Sequence, residues 1–338
     1  MARRPGVSRV RQTMHSLTGI FHVQNVAVAE PTVERFGHSP VAKYVAATRP
    51  AFLLAAVMPC FIGFSTAALD GLPVHLPTAL LTVIGAALVA AGANVLNDYY
   101  DALNGTDAQN IDRLYPFSGG SRFIQNGVLT ERQTAIYGAI LLSAAMLIGV
   151  FLLPYAGEAL LVVGLAGLLI SWGYSAPPLA LNHRGLGELC IAVSYGSLIT
   201  VGSDMVQRGE ASALPLIAST SYGLLVACLL YVNEFPDMKA DAIAGKHHWV
   251  VRLGVRRARW VYLAMVCMAY SALPLFVLTD RLPASSLLGL LTLPLSLRAA
   301  TILLRHGETP ARILPAIKLT GAAMAAHGLL LSVGLVLG

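Results

Sequence analysis

The sequence predicts an all-α fold, a polytopic membrane helical bundle, from three observations. Hydrophobic residues make up 56% of the 338 residues and charged residues only 12%, whereas soluble domains carry roughly 25% charged residues. The apolar residues gather into charge-poor runs of about 20 residues, the length that crosses a hydrocarbon core about 30 Å thick. Two acidic clusters interrupt this pattern, each directly after an apolar run.

About nine transmembrane helices are expected, over 50–69, 77–96, 134–153, 159–177, 189–203, 212–232, 260–279, 282–297 and 319–337. The first follows Arg49-Pro50, and the second runs directly into the first acidic cluster. The third and fourth flank a short connection. The sixth runs into the second acidic cluster, and the seventh follows the basic run Arg252, Arg256, Arg257 and Arg259. The fifth and eighth are short, and Pro294 interrupts the eighth, so the same text also accommodates eight or ten spans. Ahead of these lies a basic segment, 1–43, carrying Arg3, Arg4, Arg9 and Arg11. It shows no clear cleavage or amphipathic pattern, so it reads as a flexible tail near anionic lipid rather than a transit peptide. The membrane domain is expected over 44–338.

Every Lys and Arg except Arg208 and Arg281 falls in the N-terminal segment, in an even-numbered connection, or at a span end bordering one. The positive-inside rule then puts both acidic clusters on the cytoplasmic side. The net charge of +6 describes a basic, membrane-facing surface. No soluble basic domain is present to suggest nucleic-acid binding.

The first cluster holds Asn94, Asn97, Asp98, Asp101 and Asp107, the second Asn233, Glu234, Asp237 and Asp241. Spacings of i,i+4 and i,i+3 put each set on one helix face, making a patch of hard oxygen ligands. A charge at membrane depth costs about 2.5–3.5 kcal/mol on insertion scales, so such patches imply a polar cavity with balancing cations. Mg²⁺ with a diphosphate meets that need. The clusters recur across a coarse repeat of four spans, so both emerge on the same side and can converge on one ligand.

Other residues carry less signal. Cys60, Cys190, Cys228 and Cys267 sit singly in apolar runs and read as core filler. His247 and His248 read as a solvated loop pair, and His327 as an interhelical hydrogen-bonding residue. Tyr99, Tyr100 and Tyr231 suit either a cavity wall or an interfacial belt, while Tyr174 is favoured for the cavity. An ion-coupled secondary transporter is the rival from another class, but transporters bind near the midplane and these acids lie at span ends. The DGxxAR pattern of a CDP-alcohol phosphotransferase is absent.

At these residues the chain resembles the UbiA superfamily of membrane aromatic prenyltransferases over nearly all of 44–337. Asn94-Val-Leu-Asn-Asp-Tyr-Tyr-Asp101 with Gly105-Thr106-Asp107 is similar to the family's first Asp-rich motif, and Asn233 through Lys246 to its second. Arg49-Pro50, Ser118 to Arg122, Tyr174-Ser-Ala-Pro-Pro178 and Arg184 to Glu188 match further family segments. The Gly-Thr-Asp ending is most similar to the 1,4-dihydroxy-2-naphthoate polyprenyltransferase branch of menaquinone biosynthesis.

The resemblance implies a lipid-open cavity under a cytoplasmic cap, in an enzyme of the bacterial inner membrane. Its reaction would be Mg²⁺-dependent transfer of a prenyl group from a polyprenyl diphosphate to an aromatic acceptor. Dihydroxynaphthoate is the expected acceptor, with 4-hydroxybenzoate, homogentisate and a chlorin as alternatives. Asp98, Asp101 and Asp107 would hold one metal ion, and Asp237 and Asp241 a second, with Asn94, Asn97 and Asn233 beside them. Lys246, Arg122 and Lys239 would grip the diphosphate, and Tyr174 would line the cavity. Many relatives carry a cation where this chain has Ala180, so Arg184 is expected to take over part of that task.

Overall fold

A computed structural model of the chain describes residues 29–36 and 39–338, with no strand among the described residues. Most of the basic tail expected over 1–43 lies outside them; one short helix, Val33–Phe36, falls within it, and a second, Pro40–Ala47, crosses its expected end. The apolar helices that follow are α1 (Pro50–Leu69), α2 (Leu76–Leu103), α3 (Glu131–Ala156), α4 (Ala159–Gly173), α5 (Gly187–Arg208), α6 (Leu214–Ile243), α7 (Val255–Leu278), α8 (Ala284–His306) and α9 (Pro310–Val336). Among the described residues, eight of these are long and apolar enough to cross a membrane. The expected fourth span is the exception: α4 has 15 residues, about 22 Å against a hydrocarbon core of about 30 Å.

Several ends differ from the expected ones, each for a local reason. Helix α2 runs on to Leu103 and α6 to Ile243, because the acidic clusters continue the helices instead of ending them. Helix α5 runs past 203 to Arg208, since Asp204 and Arg208 neutralise each other within it at 2.7 Å. Helix α3 starts at Glu131 under a reciprocal cap between Thr130 and Gln133. At Pro294 the eighth span changes from a 3-10 segment, Ala284–Thr292, to an α-helix. Proline suits that place because a first-turn N–H needs no helical partner.

Neighbours in sequence pack side by side, and α9 packs against α1 to close the ring. The largest apolar core lies among α6, α7, α8 and α9. Its buried tyrosines each spend the hydroxyl on a partner, as buried polar atoms must. Tyr222 donates to the Ala55 carbonyl at 2.9 Å, Tyr231 donates to that of Ala258 at 3.1 Å, and Tyr262 shares a proton with Thr320 at 2.6 Å. Tyr231 is therefore neither a cavity wall nor an interfacial anchor. His327 is the interhelical residue expected, 3.0 Å from Ser221 Oγ and 3.1 Å from the Gly289 carbonyl. Of the cysteines, Cys60 and Cys228 are core, but Cys267 is exposed and Cys190 borders a cavity.

A charge lies inside α5, just past the expected end of that span at 203. Asp204 is fully buried, takes two hydrogen bonds from Arg208 and one from Thr66, and Arg208 continues to Asp70 at 2.7 Å. This closed network ties α1 to α5 far from the acidic clusters.

Residues Ala192–Leu198 of α5 form a π-helical turn against α6. A side chain at Gly223 would stand 2.8 Å from the Ala192 carbonyl oxygen and 3.1 Å from Gly196 Cα, so glycine is required there. Gly223→Val should cost about 1–3 kcal/mol through overpacking, read as a lower thermal midpoint of the detergent-solubilised protein. Gly164→Val, where an added Cβ meets nothing within 4 Å, should leave the midpoint near wild type. Equal midpoints for both variants would contradict the close approach.

Candidate active site

Helices α2 and α6 each carry an acidic cluster to the same end of the bundle, and the loops that follow fold back over both. Asp101 on α2 and Asp241 on α6 share one cation: Lys246 Nζ lies 2.8 Å from Asp101 and 3.5 Å from Asp241. Burial works against the lysine charge, but the two carboxylates outweigh it and hold its pKa above the ordinary value. Asp237 is gripped from the 104–130 loop, accepting from Asn110 Nδ2 at 2.6 Å and from the Gly119 N–H at 3.2 Å. The two clusters therefore do converge.

His248 closes the far side. Its Nδ1 lies 3.1 Å from Glu234 and its Nε2 3.1 Å from Asp241. Nε2 is hydrogen-bonded to Asp241, whereas Nδ1 makes only a close contact with Glu234, outside hydrogen-bond geometry; two acidic groups flanking one ring favour its protonated form. Burial opposes that charge, but Glu234 and Asp241 overcome it and raise the pKa to about 10. The expected solvated pair is thus split, with His247 exposed and His248 buried.

The cavity between these groups has a volume of about 400 Å³. Asn94, Asn97, Asp101, Asp107, Asn233, Asp237, Asp241, Lys246 and Tyr174 all border it. Arg49 borders it too, with a left-handed backbone at φ 58° and its guanidinium over the Phe52 ring at 4.7 Å. From there the cavity continues between α2, α3, α4 and α5, along apolar walls such as Val89, Ile148, Leu152, Val163 and Val206. Val150 and Leu165, also on its wall, are 54% and 55% exposed, so the apolar part opens sideways at membrane depth.

Burial and the charges of Asp101 and Asp98 push the Asp107 carboxyl well above the usual range. A neutralising ligand at this end would relieve that repulsion. Among the described residues no three His, Cys, Asp or Glu side chains converge tightly enough to hold a metal alone. The donors at this end are all hard carboxylate and amide oxygens, a set that suits Mg²⁺, which is held by one or two carboxylates together with substrate phosphates and water.

Four expected site residues stand elsewhere. Asp98 is buried behind the cavity wall, accepting from the Ser121 N–H at 3.1 Å. Arg122 is also behind it and donates to the Asp107 carbonyl. Lys239 pairs with Asp112 at 2.7 Å with its side chain 73% exposed. Arg184 is exposed and donates to the Pro178 carbonyl at 2.7 Å. Lys239 points away because it lies two residues past Asp237 on a helix, a spacing that faces different sides. Tyr99 and Tyr100 pair with each other, ring centroids 5.0 Å apart, off the cavity wall. Asn110, Gly119, His248 and Arg49 are the additions, and all four lie on loops or helix ends.

The UbiA prenyltransferase family matches residues 56–337. The chain is 29% identical to the 1,4-dihydroxy-2-naphthoate octaprenyltransferase of Mycobacterium tuberculosis, covering 88% of this chain and 98% of that protein. The Escherichia coli protein of the same name is 29% identical over 77% of this chain and 84% of its own. Among solved structures, a UbiA homolog from Archaeoglobus fulgidus bound to GPP and Mg²⁺ shares the fold. Its TM-score is 0.59 at 19% identity, covering 86% of this chain and 99% of that one.

The charge on His248 makes the geometry testable. A raised pKa means its stabilisation is complete below the ordinary histidine value of about 6.5 and is lost as pH rises through the folded value. Between about pH 8 and about pH 10.5 the thermal midpoint of the wild type should fall more than that of His248→Gln. Parallel falls in the two proteins would contradict the imidazolium.

Proposed function

The chain belongs to the UbiA prenyltransferase family, and from that premise we propose that it transfers a polyprenyl group from its diphosphate to an aromatic acceptor. The names of its relatives favour 1,4-dihydroxy-2-naphthoate as the acceptor and a long prenyl chain as the donor. One observation carries the reading: a single cavity joins an acidic pole built from both halves of the chain to a long apolar passage open to the side. An amphiphile with a polyphosphate head and an isoprenoid tail has that shape.

Asp101 and Asp107 on one side, and Asp237 and Asp241 on the other, would hold Mg²⁺ against the diphosphate, with Asn94, Asn97 and Asn233 beside them. When bound, Mg²⁺ stabilises the charge that collects on the departing pyrophosphate. Lys246 and Arg49 border the cavity beside these acids and complete that neutralisation. The allylic C–O bond breaks, its electron pair leaving with pyrophosphate; the ring carbon of the acceptor closes a new C–C bond to the allylic cation and then gives up its proton, to the released pyrophosphate or to solvent, which restores the aromatic ring. Apolar walls keep water from capturing the cation first. Asp98 acts from behind, by fixing the backbone at Ser121. The basic residues cluster toward this end of the bundle, which supports a cytoplasmic active site in a bacterial inner membrane.

Membranes containing the protein should transfer labelled prenyl groups to dihydroxynaphthoate in preference to hydroxybenzoate or homogentisate, and EDTA should stop the transfer. Asp101→Asn and Asp241→Asn should each lower turnover by at least about a hundredfold, in line with the loss of a metal ligand. Arg49→Ala should lose about ten- to hundredfold, the equivalent of about 1.5–3 kcal/mol for a charged contact. Lys239→Ala and Arg184→Ala should stay close to wild type. Wild-type turnover in either aspartate variant would end the metal-diphosphate reading.

A further inference from the structure

The segment before α1 lies outside the residues that match the family, yet it reaches the acidic pole through a continuous chain of contacts. Glu30 pairs with Arg113 Nε at 2.7 Å, and its other oxygen accepts from Asn126 Nδ2 at 3.2 Å. Asn126 also donates to the Pro31 carbonyl at 2.8 Å, and Phe36 packs on Phe123 with ring centroids 5.2 Å apart. The segment is thus fastened to the 104–130 loop by both polar and apolar contacts. Burial opposes the Glu30 charge, but hydrogen bonds from Arg113 and Asn126 and the nearby guanidinium charges lower its pKa all the same.

Arg113 carries the contact inward. Its Nη1 donates to the Asn110 carbonyl at 2.7 Å. Its stem lies directly against Gly119, where an added Cβ would be 2.6 Å from Arg113 Cβ. Asn110 and Gly119 are the two loop residues whose N–H groups hold Asp237. Arg113 therefore braces both donors to one carboxylate, and Glu30 orients Arg113.

Resting on the prenyl-transfer reading above, we propose that Glu30 is a positioning residue: through Arg113, Asn110 and Gly119 it fixes the Asp237 carboxylate for Mg²⁺ shared with the donor diphosphate. Partners outside the ligand shell are worth about 10–100-fold in metal affinity, and a group this far out belongs at the lower end.

The test uses the full-length protein in detergent with labelled geranyl diphosphate and no acceptor, so that binding is read without turnover. The quantity measured is the Mg²⁺ concentration giving half-maximal retention of the label, with the thermal midpoint recorded alongside. Glu30→Gln and Arg113→Gln should each raise that concentration about tenfold. The double variant should do no worse than Arg113→Gln alone, because both act through one relay. Asn110→Ala, which removes the last link, should show the same kind of defect. A lowered thermal midpoint with an unchanged Mg²⁺ requirement would make Glu30 a strap for folding only and overturn the proposal, as would additive losses in the double variant. A wild type that retains no label at any Mg²⁺ concentration would instead refute the prenyl-transfer reading, and this inference with it.

Discussion

Lys246 places one positive charge between Asp101 and Asp241, and this ion pair joins the two halves of the molecule. Each half brings a carboxylate-bearing helix to the same end of the bundle. Without a buried cation those carboxylates would repel one another in a medium that screens poorly. Removing one partner of a buried pair typically costs about 3–5 kcal/mol, because the remaining charge is left uncompensated. The sharp return of the chain after α6 follows from this need. Gly245, with φ of +77°, turns the backbone so that Lys246 points back into the site it has just left.

The same constraint shapes the rest of the cavity. An acidic pole needs walls that keep solvent out, and the loops that cover it carry Asn110, Gly119 and His248 as hydrogen-bond donors to its carboxylates. Below that pole the requirement reverses and the walls become apolar. The short α4 and the partly exposed residues of α3 leave this passage open to the side, while Asp204 and Arg208 hold α1 and α5 together at the other end. The buried ion pairs among the described residues are thus concentrated at two places, one closed on itself and one open to a ligand.

Much of this was legible in the sequence because it depends on local spacing. The i,i+3 and i,i+4 pattern of Asp98, Asp101, Asp237 and Asp241 is a property of helices, and the even number of expected spans between the clusters already required a common side. Lys246 could be singled out because it follows Asp241 so closely. What could not be read were contacts made by loop folding. Arg49 enters the cavity because of a left-handed backbone at a helix start, and His248 because the chain turns at Gly245. Lys239 and Arg184 illustrate the converse, since nearness to a motif along the chain did not become nearness in space. Asp204 and Arg208 looked like the end of a span because each charge, read alone, is costly in a membrane, whereas the pair is not.

The central claim is that both acidic clusters act on one diphosphate. Anomalous scattering from crystals of the protein grown with Mn²⁺ and an unreactive prenyl diphosphate analogue tests it most directly. The account predicts Mn²⁺ peaks in contact with Asp101 or Asp107 and with Asp237 or Asp241, all bound to a single diphosphate whose tail runs between α2, α3 and α4. Peaks confined to one cluster, or a diphosphate seated away from Lys246, would contradict it.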